Sequence, residues 1–296
     1  MGGNTLETLV EDIYSLMENR NTPKGVDVEK EIEKFGEAVK DLMKKEFLPH
    51  QRDARKLRLS SIGRPELVQW YVYNKFQGEK LKPHTYIKFM YGHLIEEMLL
   101  FFVRMSGHKV TDEQKECEVN GIKGHMDCKI DGVVVDVKST SSFGFQKFKD
   151  RSLAASDDFG YVDQIKAYAH SEGERKWAWL AMDKQNGNLC VLEYDLDNTN
   201  DPMYDFYSED IEERVEHVKK SVMAEDRPSL CSVPIEDGKS GNMKLTSQCS
   251  YCQYKRHCYP EVRCFITGSG PKFLTNVVNA PKNRQGVVHP EVNPFE

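Results

Sequence analysis

Apolar residues recur at helical spacing over residues 5–18 (Leu6, Leu9, Val10, Ile13, Leu16) and again over 28–47 (Ile32, Phe35, Val39, Leu42), each time on a charged background. Both stretches predict amphipathic helices at the entrance of the chain. Residues 65–73 read as a further helix with Pro65 in its first turn. Residues 86–105 read as a longer, more apolar helix that ends near Gly107. The period then changes. Residues 109–119 and 122–139 are rich in strand-forming side chains and are broken by Asn120-Gly121 and Asp131-Gly132, dipeptides that tolerate positive φ and favour two-residue hairpin turns. The pattern predicts a helix over 161–171 and strands over 177–182 and 189–194, joined by the turn-forming Asn186-Gly187. A charged helix over 208–223 follows, and then a Gly-, Pro- and Cys-rich tail with little regular pattern. Helices, a three-stranded meander, a helix and further strands outline an α/β core around a mixed sheet.

The 296 residues suit one large domain or one domain with appendages. With 39% hydrophobic and 30% charged residues the chain reads as a soluble globular protein. The apolar run at 98–103 is too short to span a bilayer. Glu7, Glu11 and Asp12 stand where a signal peptide would need apolar residues, so a cytoplasmic protein without a membrane partner is expected. A net charge of −6 argues against a surface coated in positive charge, yet leaves room for a local basic groove. One basic segment holds Arg52, Arg55, Lys56, Arg58 and Arg64 against the single Asp53. It reads equally as a solvated helix face or as a phosphate-contacting surface. Lys239-Ser240 follows Gly238, but no second glycine stands at P-loop spacing, so ATP is not implied.

Candidate chemistry concentrates on the second hairpin. With Asp131-Gly132 as the turn, Ile130 pairs with Val133, and pairing outward sets Asp127 opposite Asp136 and His125 opposite Lys138. These four would share one face, while Met126, Cys128, Val135 and Val137 would share the other. Facing carboxylates on a valine-rich sheet repel, and a divalent cation between them removes the problem. Hard oxygen ligands suit Mg²⁺ or Mn²⁺. Lys138, two residues beyond Asp136, would hold a water or a phosphate oxygen. A solvated surface hairpin is the plainer alternative, which the paired Asp127 and the run of valines disfavour. Gln164 and Tyr168 are spaced i, i+4, so both polar tips leave one helix face. Of the eight cysteines, Cys117, Cys128 and Cys190 fall in strand-like segments, where a buried small hydrophobe is the default. Cys231, Cys249, Cys252, Cys258 and Cys264 crowd the last quarter, where metal binding competes with simple packing.

Taken together these residues resemble the RecB-like branch of the PD-(D/E)XK nucleases, a family that includes AddB subunits, lambda-type exonucleases and CRISPR adaptation nucleases. Four short motifs stand in family order over roughly residues 60–194: Gly92 with Glu96, Gly124 with Asp127, Asp136 with Lys138 and Ser139, and Gln164 with Tyr168. His93 and Glu97 compete with Glu96 on its helix. The resemblance implies a restriction-endonuclease-like α/β (α+β) core over 59–225, a central mixed sheet flanked by helices. An N-terminal helical region over 1–58 would precede it, and a Cys-rich metal-binding segment over 226–296 would follow. It implies hydrolysis of DNA phosphodiester bonds by a Mg²⁺- or Mn²⁺-activated water, with Glu96, Asp127, Asp136 and the Val137 carbonyl as ligands. Lys138 would neutralise developing charge, and Gln164 and Tyr168 would assist. Arg55, Lys56 and Arg58 would contact DNA.

The triplet Cys249, Cys252, Cys258 matches the family's iron–sulfur anchor. The upstream fourth cysteine is missing from residues 59–65, which leaves Cys231 or Cys264 to complete the set, with zinc as the alternative metal. The motif set points to exonuclease work in recombination, repair or DNA degradation, with a recombinase or single-strand-binding protein as a further partner. If the protein is phage-encoded, it would act in the host cytoplasm. A restriction-type endonuclease and a non-catalytic DNA-binding or assembly module stay open beside it.

Overall fold

The computed structural model describes residues 4–48 and 56–293. Among these the helices are α1 (Leu9–Asn19), α2 (Val28–Phe47), α3 (Glu66–Tyr73), α4 (Pro83–Met105), α5 (Ser142–Lys149), α6 (Tyr161–Ser171), α7 (Tyr204–Tyr207), α8 (Ile211–Met223), α9 (Ser247–Ser250) and α10 (Lys255–Cys258). The strands are β1 (Val110–Thr111), β2 (Glu116–Val119), β3 (Ile122–His125), β4 (Cys128–Ile130), β5 (Val133–Thr140), β6 (Lys176–Asp183), β7 (Leu189–Asp195), β8 (Ile235–Glu236), β9 (Met243–Lys244), β10 (Arg263–Thr267), β11 (Gly270–Asn276) and β12 (Glu291–Val292). Among the described residues no helix is long and apolar enough to cross a membrane.

The chain forms two compact units. The first comprises Met1–Arg64 and Pro83–Lys219. Its described strands form a five-stranded sheet in the order β1-β4-β5-β6-β7, with β5 and β6 parallel and every other pair antiparallel. The sheet is mixed, with helices on both faces. On one face Val135, Val137, Ala178 and Leu180 pack against Leu9 and Ile13 of α1 and against Ile95, Leu99 and Val103 of α4. On the other, Phe148 of α5 meets Trp179 edge-on with centroids 6.2 Å apart, and α6 lies over β5 and β6. The apolar period of α4 and the alternation of β5 place these side chains inward, and their burial holds the layers together.

Two expectations about this unit need correction. The strand-rich stretch is not one meander. β2 and β3 form their own hairpin, closed at Asn120 (φ 49°) and Gly121 (φ 78°), and the chain changes partner before β4. Helix α5 was also absent from the sequence pattern, because Gly144 and a run of serines mask its Phe143-Phe145-Phe148 spacing. Ser141 caps it, accepting from the Gly144 amide at 3.3 Å.

The second unit comprises Pro65–Lys82 and Lys220–Glu296. The expectation of a tail without regular pattern fails here: its described strands form a five-stranded sheet ordered β12-β10-β11-β9-β8. It has its own small cores. Leu245, Cys249, Val262, Cys264 and Phe273 form one. Leu67, Trp70, Tyr71 and Tyr254 form another, in which the Tyr71 and Tyr254 rings stack at 5.1 Å. Trp70 Nε1 donates to the Ala224 carbonyl at 3.0 Å, and the buried Lys255 ammonium pairs with Glu79. The tail is therefore ordered by apolar packing of its own.

Candidate active site

The β4–β5 hairpin turns at Asp131 (φ 49°) and Gly132 (φ 90°), the two left-handed positions that a type I′ turn demands. Register follows from that turn: Ile130 pairs with Val133, Lys129 with Val134 and Cys128 with Val135. There the ladder stops. Met126 and Asp127 turn away to the preceding segment, with the Met126 amide on the Lys115 carbonyl at 3.1 Å and the Gln114 amide on the Asp127 carbonyl at 3.0 Å. His125 therefore pairs with Glu116 in the β2–β3 hairpin and not with Lys138, which corrects the outermost pair expected from the sequence. The Asp127 side chain takes over where the backbone leaves: its Oδ2 accepts from the Val137 amide at 2.8 Å.

Asp136 is buried at 1% exposure on the face of β5 turned to α6. Its Oδ1 accepts from Gln164 Nε2 at 3.2 Å, and the Lys138 ammonium pairs with its Oδ2. Oδ2 is buried, and the Lys138 ammonium is the group that answers its charge. Burial pushes the Asp127 carboxyl far above the usual carboxylate range, and the charges of Asp136 and Glu96 push it further. Burial also raises Asp136, but Lys138 opposes the rise. Both carboxyls are raised, Asp127 with less to oppose the rise, because ammonium and amide groups serve Asp136 while only a backbone amide serves Asp127. Burial alone would lower Lys138; the charges of Asp136 and Asp127 outweigh it and keep the amine protonated.

Helix α4 brings Glu96, whose carboxylate lies 3.9 Å from His93 Nδ1. The nearby Glu96 carboxylate holds His93 above the usual imidazole value. Its neighbour Glu97 is raised by burial first and by Glu96 second. Helix α6 brings Gln164 and Tyr168, whose polar ends lie 3.5 Å apart. Tyr168 is fully buried, and its ring explains Gly124: a Cβ there would come within 2.9 Å of Tyr168 Cε1 and 2.8 Å of Leu59 Cβ. Two motifs separated by many residues are thus one steric unit.

Sequence reading missed Tyr161, whose ring centroid lies 5.1 Å from Lys138 Nζ. Its signal was present in the one-turn spacing to Gln164. Arg58 bridges its backbone to Lys123, Lys56 is exposed, and Arg55 lies outside the described residues.

In the second unit Cys231 and Cys249 share a hydrogen bond, with Cys252 and Cys258 in electrostatic reach. The bond from Cys231 lowers Cys249 to about 6 and raises Cys231. Cys264 packs into the apolar cluster with Phe273. Among the described residues no three His, Cys, Asp or Glu side chains already converge as a metal-holding group.

The carboxylate pair has a measurable consequence in chelator. Asp127→Asn removes a charge but keeps an acceptor for the Val137 amide, and is expected to raise the melting temperature. Asp127→Ala strands that amide, a loss of roughly 1–3 kcal/mol, and is expected to lower it. Asp127 holds its proton more tightly folded than unfolded. Metal-free wild type should therefore lose stability as pH rises above about 4, the unfolded carboxyl value. Asp127→Asn should flatten that slope; equal slopes for the two proteins would remove the raised Asp127.

No family model matches the chain, and no curated protein matches it. Solved structures share a distant likeness of chain path. SSO0001 is 14% identical with a TM-score of 0.40, over 74% of this chain and 93% of that one. The phage-related exonuclease from Haemophilus somnus 129PT is 16% identical with a TM-score of 0.38, over 60% and 96%. The alkaline exonuclease LHK-Exo from Laribacter hongkongensis is 10% identical with a TM-score of 0.37, over 57% and 90%. At such distances the chemistry has to be read from the site's own geometry.

Proposed function

We propose that this protein is a divalent-metal-dependent deoxyribonuclease, an exonuclease that hydrolyses phosphodiester bonds in DNA. The observation that carries the reading is the buried Asp136 carboxylate beside the half-buried carboxyl of Asp127, with the Lys138 ammonium paired to Asp136 from the same strand. Such an all-oxygen donor set fits Mg²⁺ or Mn²⁺. Glu96, Asp127, Asp136 and the Val137 carbonyl would hold the ion, and Lys138 now supplies the positive charge that Asp136 needs. When bound, the metal would lower the pKa of a water and offset charge on the scissile phosphate.

Lys138 stays protonated, as a donor to a phosphate oxygen or to the attacking water must. Gln164 fixes the Asp136 carboxylate from the far side, and Tyr168 fixes Gln164. Lys56 and Arg58, together with Arg55, are proposed to track the DNA backbone; a recombinase or a single-strand-binding protein fits as a partner. The test is cleavage of linear and circular DNA, single- and double-stranded, with Mg²⁺, with Mn²⁺ and in EDTA. Digestion confined to linear DNA and abolished by EDTA is expected. Cut circles would point to an endonuclease, and intact DNA under every condition would end the reading.

For the second unit we propose that Cys231, Cys249, Cys252 and Cys258 hold one structural centre, iron–sulfur or zinc. The mutual hydrogen bond and electrostatic reach of these thiols support it. Thiolates retain soft and borderline metals through dialysis that strips Mg²⁺. Near-stoichiometric iron or zinc is expected by elemental analysis after anaerobic purification, and serine at any of the four should release it. Metal content near zero in wild type would remove the centre.

A further inference from the structure

Beside Lys138 stands an aromatic column that the proposed chemistry does not use. The Tyr161 ring lies under the Lys138 ammonium, and Phe159 stacks on that ring with centroids 5.4 Å apart and planes inclined by 22°. Phe148 closes the buried end, 6.5 Å from Tyr161. Phe159 caps the other end in water, 62% exposed. An apolar ring so placed would normally fold inward, but its backbone is pinned. Asp157 Oδ1 accepts from the Phe159 amide at 3.2 Å and the Gly160 amide at 2.9 Å, while Oδ2 accepts from the Val162 amide at 2.8 Å. Gly160 in turn abuts Gly63 backbone to backbone. The exposed face is therefore built in and held rigid.

Two cationic groups flank the column. Arg64 acts electrostatically on Tyr161. The Lys147 ammonium lies 3.1 Å from Asp158, the residue before Phe159, and 5.7 Å from the ring of Phe143, which is 79% exposed. Flat apolar faces interleaved with ammonium and guanidinium groups suit a nucleobase and its phosphates, because every base offers a π-face and stacking tolerates any sequence. We propose that Phe159, stacked on Tyr161, is a base-stacking subsite that seats one unpaired nucleotide one ring away from Lys138. The inference rests on the nuclease reading and deepens it: the strand enters unpaired at the reacting phosphate. Phe159 is a binding residue, touching a base near the scissile bond.

The test uses the whole chain and a fluorescein-labelled oligothymidylate about twelve nucleotides long, with binding read by anisotropy in EDTA and cleavage read in Mg²⁺. Phe159→Ala is expected to weaken binding by about ten- to a hundredfold, the range for one lost stack. KM should rise with kcat little changed, and Phe159→Trp should restore both. Replacing single thymines by abasic sites should weaken wild type at one position and leave Phe159→Ala indifferent there. Equal binding and KM for wild type and Phe159→Ala would overturn the subsite while wild-type cleavage leaves the nuclease reading intact. A failure of Phe159→Trp to rescue would overturn stacking as the mode. If Phe159→Ala instead dissolves a dimer of this chain and leaves DNA binding unchanged, the ring belongs to a contact between copies and the subsite falls. If wild type cleaves no DNA at all, the nuclease reading itself fails, whatever the variant binds.

Discussion

Asp136→Asn is expected to reduce metal-dependent DNA cleavage on the order of a thousandfold or more, while the protein stays folded. The amide keeps the shape of the side chain and an acceptor for Gln164, whose Nε2 lies 3.2 Å from Oδ1. What disappears is the charge that would hold the cation and that now answers Lys138. Stripping one partner from a buried ion pair commonly destabilises by about 3–5 kcal/mol. Here a second carboxyl stands ready. The charge of Asp136 helps to raise Asp127, so neutralising Asp136 eases the ionisation of Asp127, which can then answer Lys138. Lys138→Ala should match the loss of cleavage, because the ammonium that would donate to a phosphate oxygen or to the attacking water is gone. Cleavage rates on end-labelled DNA, paired with thermal melts, separate these effects. A rate within tenfold of wild type in either variant would dismantle the site.

Gly160→Ala is expected to be the most destabilising single methyl addition in the first unit. Gly160 sits at φ 77°, where a side chain costs about 1–2 kcal/mol. Its added Cβ would also come within 2.3 Å of the Gly63 carbonyl carbon, a backbone atom that cannot rotate aside. Overpacking against fixed atoms adds roughly 1–3 kcal/mol, for a combined loss of about 2–5 kcal/mol and a fall in melting temperature on the order of 10 °C. Gly173→Ala is the control: φ is 71° there too, but nothing lies within 4 Å of the new carbon, so only the strain remains. Equal melting temperatures for the two variants would show that the Gly63–Gly160 contact is slack.

Much of the hairpin was legible because a two-residue turn leaves no freedom of register. Once Asp131-Gly132 closes, Cys128 must face Val135, and Asp136 and Lys138 must share a face. The strand break at Asp127 was not legible. It depends on a side-chain carboxylate replacing a backbone carbonyl as the Val137 acceptor, and alternation of residue types cannot reveal that choice. The limits of α2 and α6 were readable from apolar spacing, since both are ordinary amphipathic helices. The second sheet escaped because β8, β9 and β12 are two residues long, too short to show a period, and Pro271 interrupts β11. Tyr161 escaped for another reason. Its relation to Lys138 is a contact across layers, set by where α6 lands on β5.

That same layering dictates an order of assembly. β4 and β5 are joined by two residues and can zip in roughly 1–10 μs, the time of an isolated hairpin. β5 and β6 are parallel, so their pairing waits on a crossover that carries α5 and α6. Asp127 and Asp136 therefore meet while water still surrounds them, where two charges at contact repel by only about 1 kcal/mol. The loss of water from the two carboxyls and the arrival of Gln164 belong to the later docking of α6. The conflict between the two carboxylates is thus deferred until the chain has already committed to its topology.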